Sequence, residues 1–236
     1  MFKLKPLALV AALALAAPSA VHAQSGMRPA STETPLLDGV ALLGPPPAAG
    51  SAALAADILS MHPNVSAERL AQARADQPFG PWVAMHPVFG DGFTEARLPR
   101  TARVFADVLA AIGPPIDAAK SEYHRRRPFR DHLDVTQCDA PSDALAQSGS
   151  YPSGHSTGGW AWALVLAELV PTRTDAILQR GRDYGDSRVI CGFHYPSDVV
   201  AGRIIASAAI ARLHADHDFR NDMEAARREL ARAYPH

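Results

Sequence analysis

The sequence has no stretch of sustained apolar–polar alternation and no internal repeat. Neither a sheet nor a repeat array has a basis in it. A surplus of one charge is missing as well: 23 Lys and Arg stand against 24 Asp and Glu. A general nucleic-acid binder would show a basic face, so nucleic acid is excluded as a partner. Past the first residues, no apolar run approaches the roughly 20 residues needed to span a bilayer. The best one, at 196–214, is interrupted by Arg203. Cysteine is limited to Cys138 and Cys191. Histidine is more frequent, but no spacing among His62, His86, His124, His132, His214, His217 and His236 demands a metal. His214 and His217, beside Asp216 and Asp218, come nearest, and a solvated helix end accounts for them. A zinc site needs a convergent ligand set. No metal and no cofactor are expected.

What is present begins with a leader. Lys3 and Lys5 precede an Ala- and Leu-rich run, Leu7 to Ala17, and Val21-His22-Ala23 fits a small-x-small cleavage site. Residues 1–23 read as a secretory signal peptide, because the run is too short for an anchor. Its loss removes two lysines and leaves 21 basic against 24 acidic residues, a formal charge of −3. Two cysteines in an exported chain favour a disulfide, against the alternative of two buried thiols. Residues 24–50 read as an extended N-terminal arm, since Gly44-Pro45-Pro46-Pro47 cannot be helical. Residues 51–236 are one domain in size. Helical spacing covers 51–61 and 66–76, the second capped by Ser66. Residues 77–100, rich in Pro and Gly, read as loop or short turns. A helix capped by Thr101 is expected to end at Gly113-Pro114-Pro115. Another should then stop at or before Arg127, because Pro128 disfavours helix just before it. Residues 129–151 read as a polar loop. His155 to Val170 is a helix apolar on most sides, hence central and buried. Thr174 to Asp186 and a last long helix at 196–214, opened by Pro196, complete an all-α, single-domain bundle.

Three short polar blocks stand out against this background. Lys120-x6-Arg127-Pro128 comes first; seven residues is two helical turns, so both cations could share a face. Arg125, Arg126 and Arg130 add to a basic knot in a mildly acidic chain, which suggests a local anion site. Pro152-Ser153-Gly154-His155 follows, directly before the apolar helix. Glycine permits close approach, and free amides at a helix start bind anions. The third block is Ser187-Arg188-x5-His194-x3-Asp198. Its spacing lets Asp198 orient one imidazole nitrogen and leave the other free to attack. Ser187 reads as support for the turn that aims Arg188. Each block alone is matched by bland accounts: a solvated helix end, a capping Ser, a capping Asp. Together they suit the capture of a tetrahedral oxyanion and attack on it by an imidazole.

In these blocks the chain resembles the PAP2-type acid phosphatase and vanadium haloperoxidase superfamily, and within it the bacterial class A non-specific acid phosphatases. Leu42 to Ser51, Ser148 to Glu168 and Arg188 to Asp198 carry the similarity further, and Cys138 and Cys191 fall where members carry cysteines. The resemblance implies an all-α bundle of the PAP2/haloperoxidase type. It implies His194 as nucleophile, Asp198 as its orienter and His155 as general acid, with Lys120, Arg127, Ser153, Gly154 and Arg188 holding phosphate. It further implies a periplasmic, metal-independent enzyme for small phosphomonoesters, forming homo-oligomers, with transfer to alcohols as a second outcome. The alternatives are a vanadium-dependent haloperoxidase, a membrane lipid phosphatase and a non-catalytic phosphate-binding protein. Two histidines near pH 6.5 would give a bell-shaped profile peaking on the acid side.

Overall fold

In a computed structural model, residues 36–61, 64–132, 134–135 and 137–235 are described, and among them there is no strand. The expected leader, residues 24–35 of the arm, and His62 and His236 lie outside the described residues. In chain order the helices are α1 (Gly39–Leu43), α2 (Ala52–Leu59), α3 (Ala67–Ala75), α4 (Pro81–Phe89) and α5 (Pro99–Tyr123). They continue with α6 (Pro128–Asp131), α7 (Asp143–Gln147), α8 (Gly154–Leu169), α9 (Thr174–Ile190), α10 (Pro196–Leu213) and α11 (His217–Ala233).

Helix α8 lies at the centre and packs on α9, α10, α5, α4 and α11. It buries Ala161, Trp162, Val165, Leu166 and Leu169, as its all-round apolar sequence requires. Small residues let its neighbours come close. A Cβ on Gly181 of α9 would sit 2.4 Å from Ala163 Cβ, and one on Gly159 would sit 2.6 Å from the Tyr184 ring. The main core runs from Met85 and Phe93 through Val104, Val108 and Trp162 to Leu230. A second, smaller core gathers Met61, Ala73, Phe129, Val135, Ile190, Phe193 and Tyr195. Cys138 and Cys191 sit in it, joined by a disulfide with Cα atoms 4.8 Å apart.

Several boundaries differ from the sequence reading. Helix α5 does not end at Gly113-Pro114-Pro115 but continues to Tyr123. The prolines remove two backbone donors, yet the buried stripe Val104, Val108, Ala111, Ile112, Pro115, Ile116, Ala119 keeps helical register straight through them. Packing therefore overrides the local break. Thr101 lies inside this helix, and Leu109 faces outward. The arm is not wholly extended: α1 forms where Asp38 caps it, and Gly39 packs against the Pro115 carbonyl so closely that no Cβ would fit. Gly44 to Pro47 are non-helical, as expected. Residues 81–89, read as loop, form α4; Pro81 takes the first helical position, where a missing donor costs nothing. The loop at 129–151 contains α6 and α7, the latter capped by Ser142. Helix α10 is not the last. Asp216 caps α11, whose Phe219, Met223, Ala226 and Leu230 form a buried stripe.

Candidate active site

The three blocks converge at the N-terminus of α8. Lys120 comes from the last turn of α5. Arg127 is not two turns further along that helix. His124 takes a left-handed conformation that ends α5, and Arg127 is an extended residue before α6. The two cations meet through the loop instead. Lys120 Nζ donates to the Gly149 carbonyl, and Arg127 Nη2 donates to the same oxygen at 3.3 Å.

Arg127 is buried among neutral acceptors. Its other donors go to Phe193 O (3.0 Å), Ser148 O (3.2 Å), Ser148 Oγ (2.9 Å) and His194 Nε2 (2.9 Å). None of these is a carboxylate, so among the described residues the guanidinium charge has no counter-ion in contact with it. Arg188, near the end of α9, is similar. It lies 4.5 Å over the Phe193 ring, and its buried Nε and Nη1 have no hydrogen-bond partner among the described residues. Behind it, Ser187 Oγ donates to Asp76 Oδ2 at 2.6 Å, lies 2.8 Å from Asp183 O, and accepts from Arg69 at 2.9 Å. Asp76 in turn pairs with Arg180. Ser187 is thus held in a polar network inside α9 next to Arg188, not at a turn.

Helix α8 begins at Gly154, with Ser153 as its cap. Ser153 Oγ accepts from the Ser156 amide (3.3 Å) and hydroxyl (2.9 Å), and its carbonyl takes the Thr157 amide. Its own hydroxyl proton remains to be donated. A Cβ on Gly154 would meet nothing within 4 Å, so the space above it is open. His155 follows, half-buried between Phe79 and Tyr184, with ring centroids at 5.1 and 5.5 Å. Its Nε2 lies 2.9 Å from Gln77 O and donates to it, leaving Nδ1 free to exchange protons. Tyr184 donates to Pro78 O at 2.7 Å and accepts from the Gly80 amide. The 77–80 segment is therefore a wall of the site.

His194 is buried. Arginine can only donate, so Arg127 forces His194 Nε2 to accept and places the ring proton on Nδ1. Nδ1–H faces Asp198 Oδ2 at 3.3 Å, as the spacing predicts. Ser150 Oγ donates to the same oxygen at 2.5 Å, and the Tyr195 amide does so at 2.9 Å.

The electrostatics follow from burying three cations together. Desolvation, then Arg127, push Lys120 down from 10.5 to about 7. Desolvation brings Arg127 and Arg188 down to about 10. Burial, then Arg188, push His155 down to about 3. His194 is held well below its ordinary value by burial, then by Arg127, Lys120 and Arg188. Both imidazoles of the free site are shifted below 6.5, contrary to the sequence expectation; burial is the first reason and the surrounding cations the second. Among the described residues no three His, Cys, Asp or Glu converge as a metal site. Sequence reasoning missed Ser148, Gly149 and Ser150, which hold Arg127, Lys120 and Asp198. Their signal was the small polar run directly before Pro152. Two of the remaining histidines have carboxylate partners: His86 bonds Asp91, and His214 bonds Glu168.

The helical bundle thus gathers three cations and a His–Asp pair beside a Ser-Gly-His helix start. Residues 104–222 match the model of the PAP2 superfamily, and the chain belongs to that family. An acid phosphatase of Zymomonas mobilis is 48% identical over 138 residues, 58% of this chain and 52% of that protein. A non-specific acid phosphatase of Providencia stuartii is 38% identical over 203 residues, 83% of this chain and 82% of its own length. A Rhizobium etli lipid A 1-phosphatase is 35% identical over 43% of the chain. The match thus spans about half the length of the Zymomonas relative.

Proposed function

We propose that the protein is an acid phosphatase for small phosphomonoesters that works through a phosphohistidine on His194. The observation carrying this reading is the fixed tautomer of His194, with Nδ1–H on Asp198 and an Nε2 lone pair facing Arg127. That arrangement is what an attacking imidazole needs, and burial among cations keeps it unprotonated. The phosphoryl group settles over Gly154, where the protein leaves space, and receives donors from Lys120, Arg127, Arg188, the Ser153 hydroxyl and the first amides of α8. Its charge draws Arg127 off Nε2. Loose phosphoryl-transfer transition states need positioning and charge stabilisation, and these cations supply both.

Free His155 is unprotonated at pH 5, so it must gain its proton with the substrate. The arriving dianion offsets Arg188, Arg127 and Lys120, which raises the imidazole value. Protonated His155 then donates from Nδ1 to the leaving oxygen, and afterwards takes a proton from the water that hydrolyses the intermediate. A covalent intermediate also leaves room for an alcohol acceptor, hence phosphotransferase activity. The leader supports a periplasmic location. Among the described residues no helix is long and apolar enough to cross a membrane, which favours soluble phosphomonoesters over lipids as substrates.

Rapid quenching in denaturing alkali, in which a phosphohistidine survives, with a 32P-labelled aryl phosphate tests the mechanism. Label should appear on His194 and be absent in His194→Ala, which keeps its fold but not its turnover. Label on serine, or activity lost to a chelator and restored by Mg²⁺ or Zn²⁺, would overturn it.

A further inference from the structure

The three blocks leave out a buried ionic chain that runs from α2 to the His194 pair. Asp57 and Arg125 have side chains 7% and 8% exposed, and Asp198 is wholly buried. Arg125 Nη2 donates to Asp57 Oδ2 at 2.9 Å, and its Nη1 donates to Asp198 Oδ1 at 2.6 Å. Nη1 also donates to Ser197 Oγ at 2.6 Å, and the guanidinium lies 4.0 Å over the Tyr195 ring. Asp57 has anchors of its own. Its Oδ1 accepts from the Ser197 amide at 2.9 Å, and its Oδ2 accepts from the Ser197 hydroxyl.

We propose that Arg125 and Asp57 are positioning residues for the His194–Asp198 pair: Asp57 fixes the Arg125 guanidinium, which fixes the Asp198 carboxylate and sets how much negative charge it presents to the imidazole. The inference rests on the histidine-nucleophile reading. The two oxygens of Asp198 have separate partners. Oδ2 faces His194 Nδ1, Ser150 Oγ and the Tyr195 amide, while Oδ1 is gripped by Arg125. Gripping Oδ1 stops rotation of the carboxylate and so aims Oδ2. A tie between α2 and α10 would need just Asp57 and Ser197, which already bond each other; the further reach of Arg125 to Oδ1 goes beyond that.

The charge arithmetic adds a second consequence. Two carboxylates share one guanidinium, so Asp198 keeps more negative charge than in a one-to-one pair. Without Asp57 the guanidinium would neutralise Asp198 more fully, and His194 would hold a proton less readily. Without Arg125 the uncompensated Asp198 would favour protonated His194. The other groups facing this pair stay constant in both cases. His194 faces Arg127, Lys120, Arg188 and His155, and Asp198 also acts on Lys120, Arg127, Tyr151 and Tyr195.

The test uses the full chain with p-nitrophenyl phosphate as substrate and orthophosphate as inhibitor. Arg125→Met should lower kcat by up to about a hundredfold, the scale of a misplaced catalytic group. Arg125→Lys, which keeps a charge but not the fork, should lose less, and so should Asp57→Asn. Orthophosphate inhibition should be unchanged in all three. Attack requires neutral His194, so the acid limb of kcat should move to higher pH in Arg125→Met and to lower pH in Asp57→Asn. Wild-type kcat and limbs in folded variants would overturn the proposal, as would losses shared equally by kcat and orthophosphate affinity with no limb shift. If Arg125→Met does not fold, the Asp57→Asn limb decides alone. His194→Ala run alongside separates the two levels. Activity surviving in it overturns the histidine mechanism and this inference with it. An inactive His194→Ala beside unaltered Arg125 and Asp57 variants overturns the inference alone.

Discussion

In the proposed phosphate clamp, Lys120 is the residue whose charge is least secure. Burial and Arg127 leave it protonated in the free site up to about 7, while Arg127 and Arg188 persist to about 10. Substrate capture at alkaline pH therefore begins with one cation missing. The sign is fixed by chemistry: a neutral amine attracts a phosphate dianion less, so kcat/KM falls as pH rises through about 7. Bound phosphate restores the proton, so the limb in kcat lies higher than the limb in kcat/KM. Arginine stays charged far above this range, so Lys120→Arg should move the kcat/KM limb upward even if geometry lowers the maximum. Steady-state profiles on one substrate from about pH 4 to 9 give both limbs. A wild-type kcat/KM flat across neutrality would remove Lys120 from this role. In the proposed mechanism an acid preference follows from Lys120 and from the proton that His155 must gain, where the sequence points to two ordinary histidines.

At the scale of elements, α8 and α9 act as one unit that presents Ser153, Gly154 and His155 from one helix and Arg188 from the other. Their closeness depends on Gly159 and Gly181. Gly181→Ala places a Cβ 2.4 Å from Ala163 Cβ, with backbone behind it, so the helices must part. Overpacking of this kind costs about 1–3 kcal/mol. The midpoint of urea unfolding should fall accordingly, and kcat should fall with it as Arg188 moves. A variant as stable as wild type would show that the interface yields freely. The central helix and the three blocks were legible because each is local: an apolar run, a cap, a spacing of four. What could not be read depends on distant partners. A sequence separation of 68 between Asp57 and Arg125 hides their pairing, and nothing local tells that the stripe of α5 survives two prolines. Helix α11 is a different case. Phe219, Met223, Ala226 and Leu230 carry the pattern, and 216–218 are indeed solvated at a helix end, but that end is the start of α11, with Asp216 as its cap. Arg127 meets Lys120 through a loop and the Gly149 carbonyl rather than along one helix face.

For the whole molecule, the decisive point is that the site stands on two cores. The main bundle carries Lys120, His155 and Arg188, while the smaller core contains Phe193, whose carbonyl holds Arg127 and whose ring lies under Arg188. That smaller core has few large side chains, and a disulfide crosses it. Cys138 and Cys191 close 53 residues of separation. On the loop-entropy estimate such a link stabilises by about 4 kcal/mol. For a domain of this size each kcal/mol is worth about 2–4 °C, so removing the bridge should lower Tm by about 10 °C. Cys138→Ser with Cys191→Ser, compared with wild type by calorimetry without reductant, measures it. The loss should also be uneven. Loosening the smaller core displaces Phe193 and so releases Arg127, while Ser153, Gly154 and His155 stay on the main bundle. At a temperature where the variant remains folded, affinity for vanadate should therefore drop, because a five-coordinate anion uses the Arg127 fork more fully than substrate does. An unchanged Tm, or a variant with lower Tm but wild-type vanadate inhibition, would show that the second core does not hold the clamp.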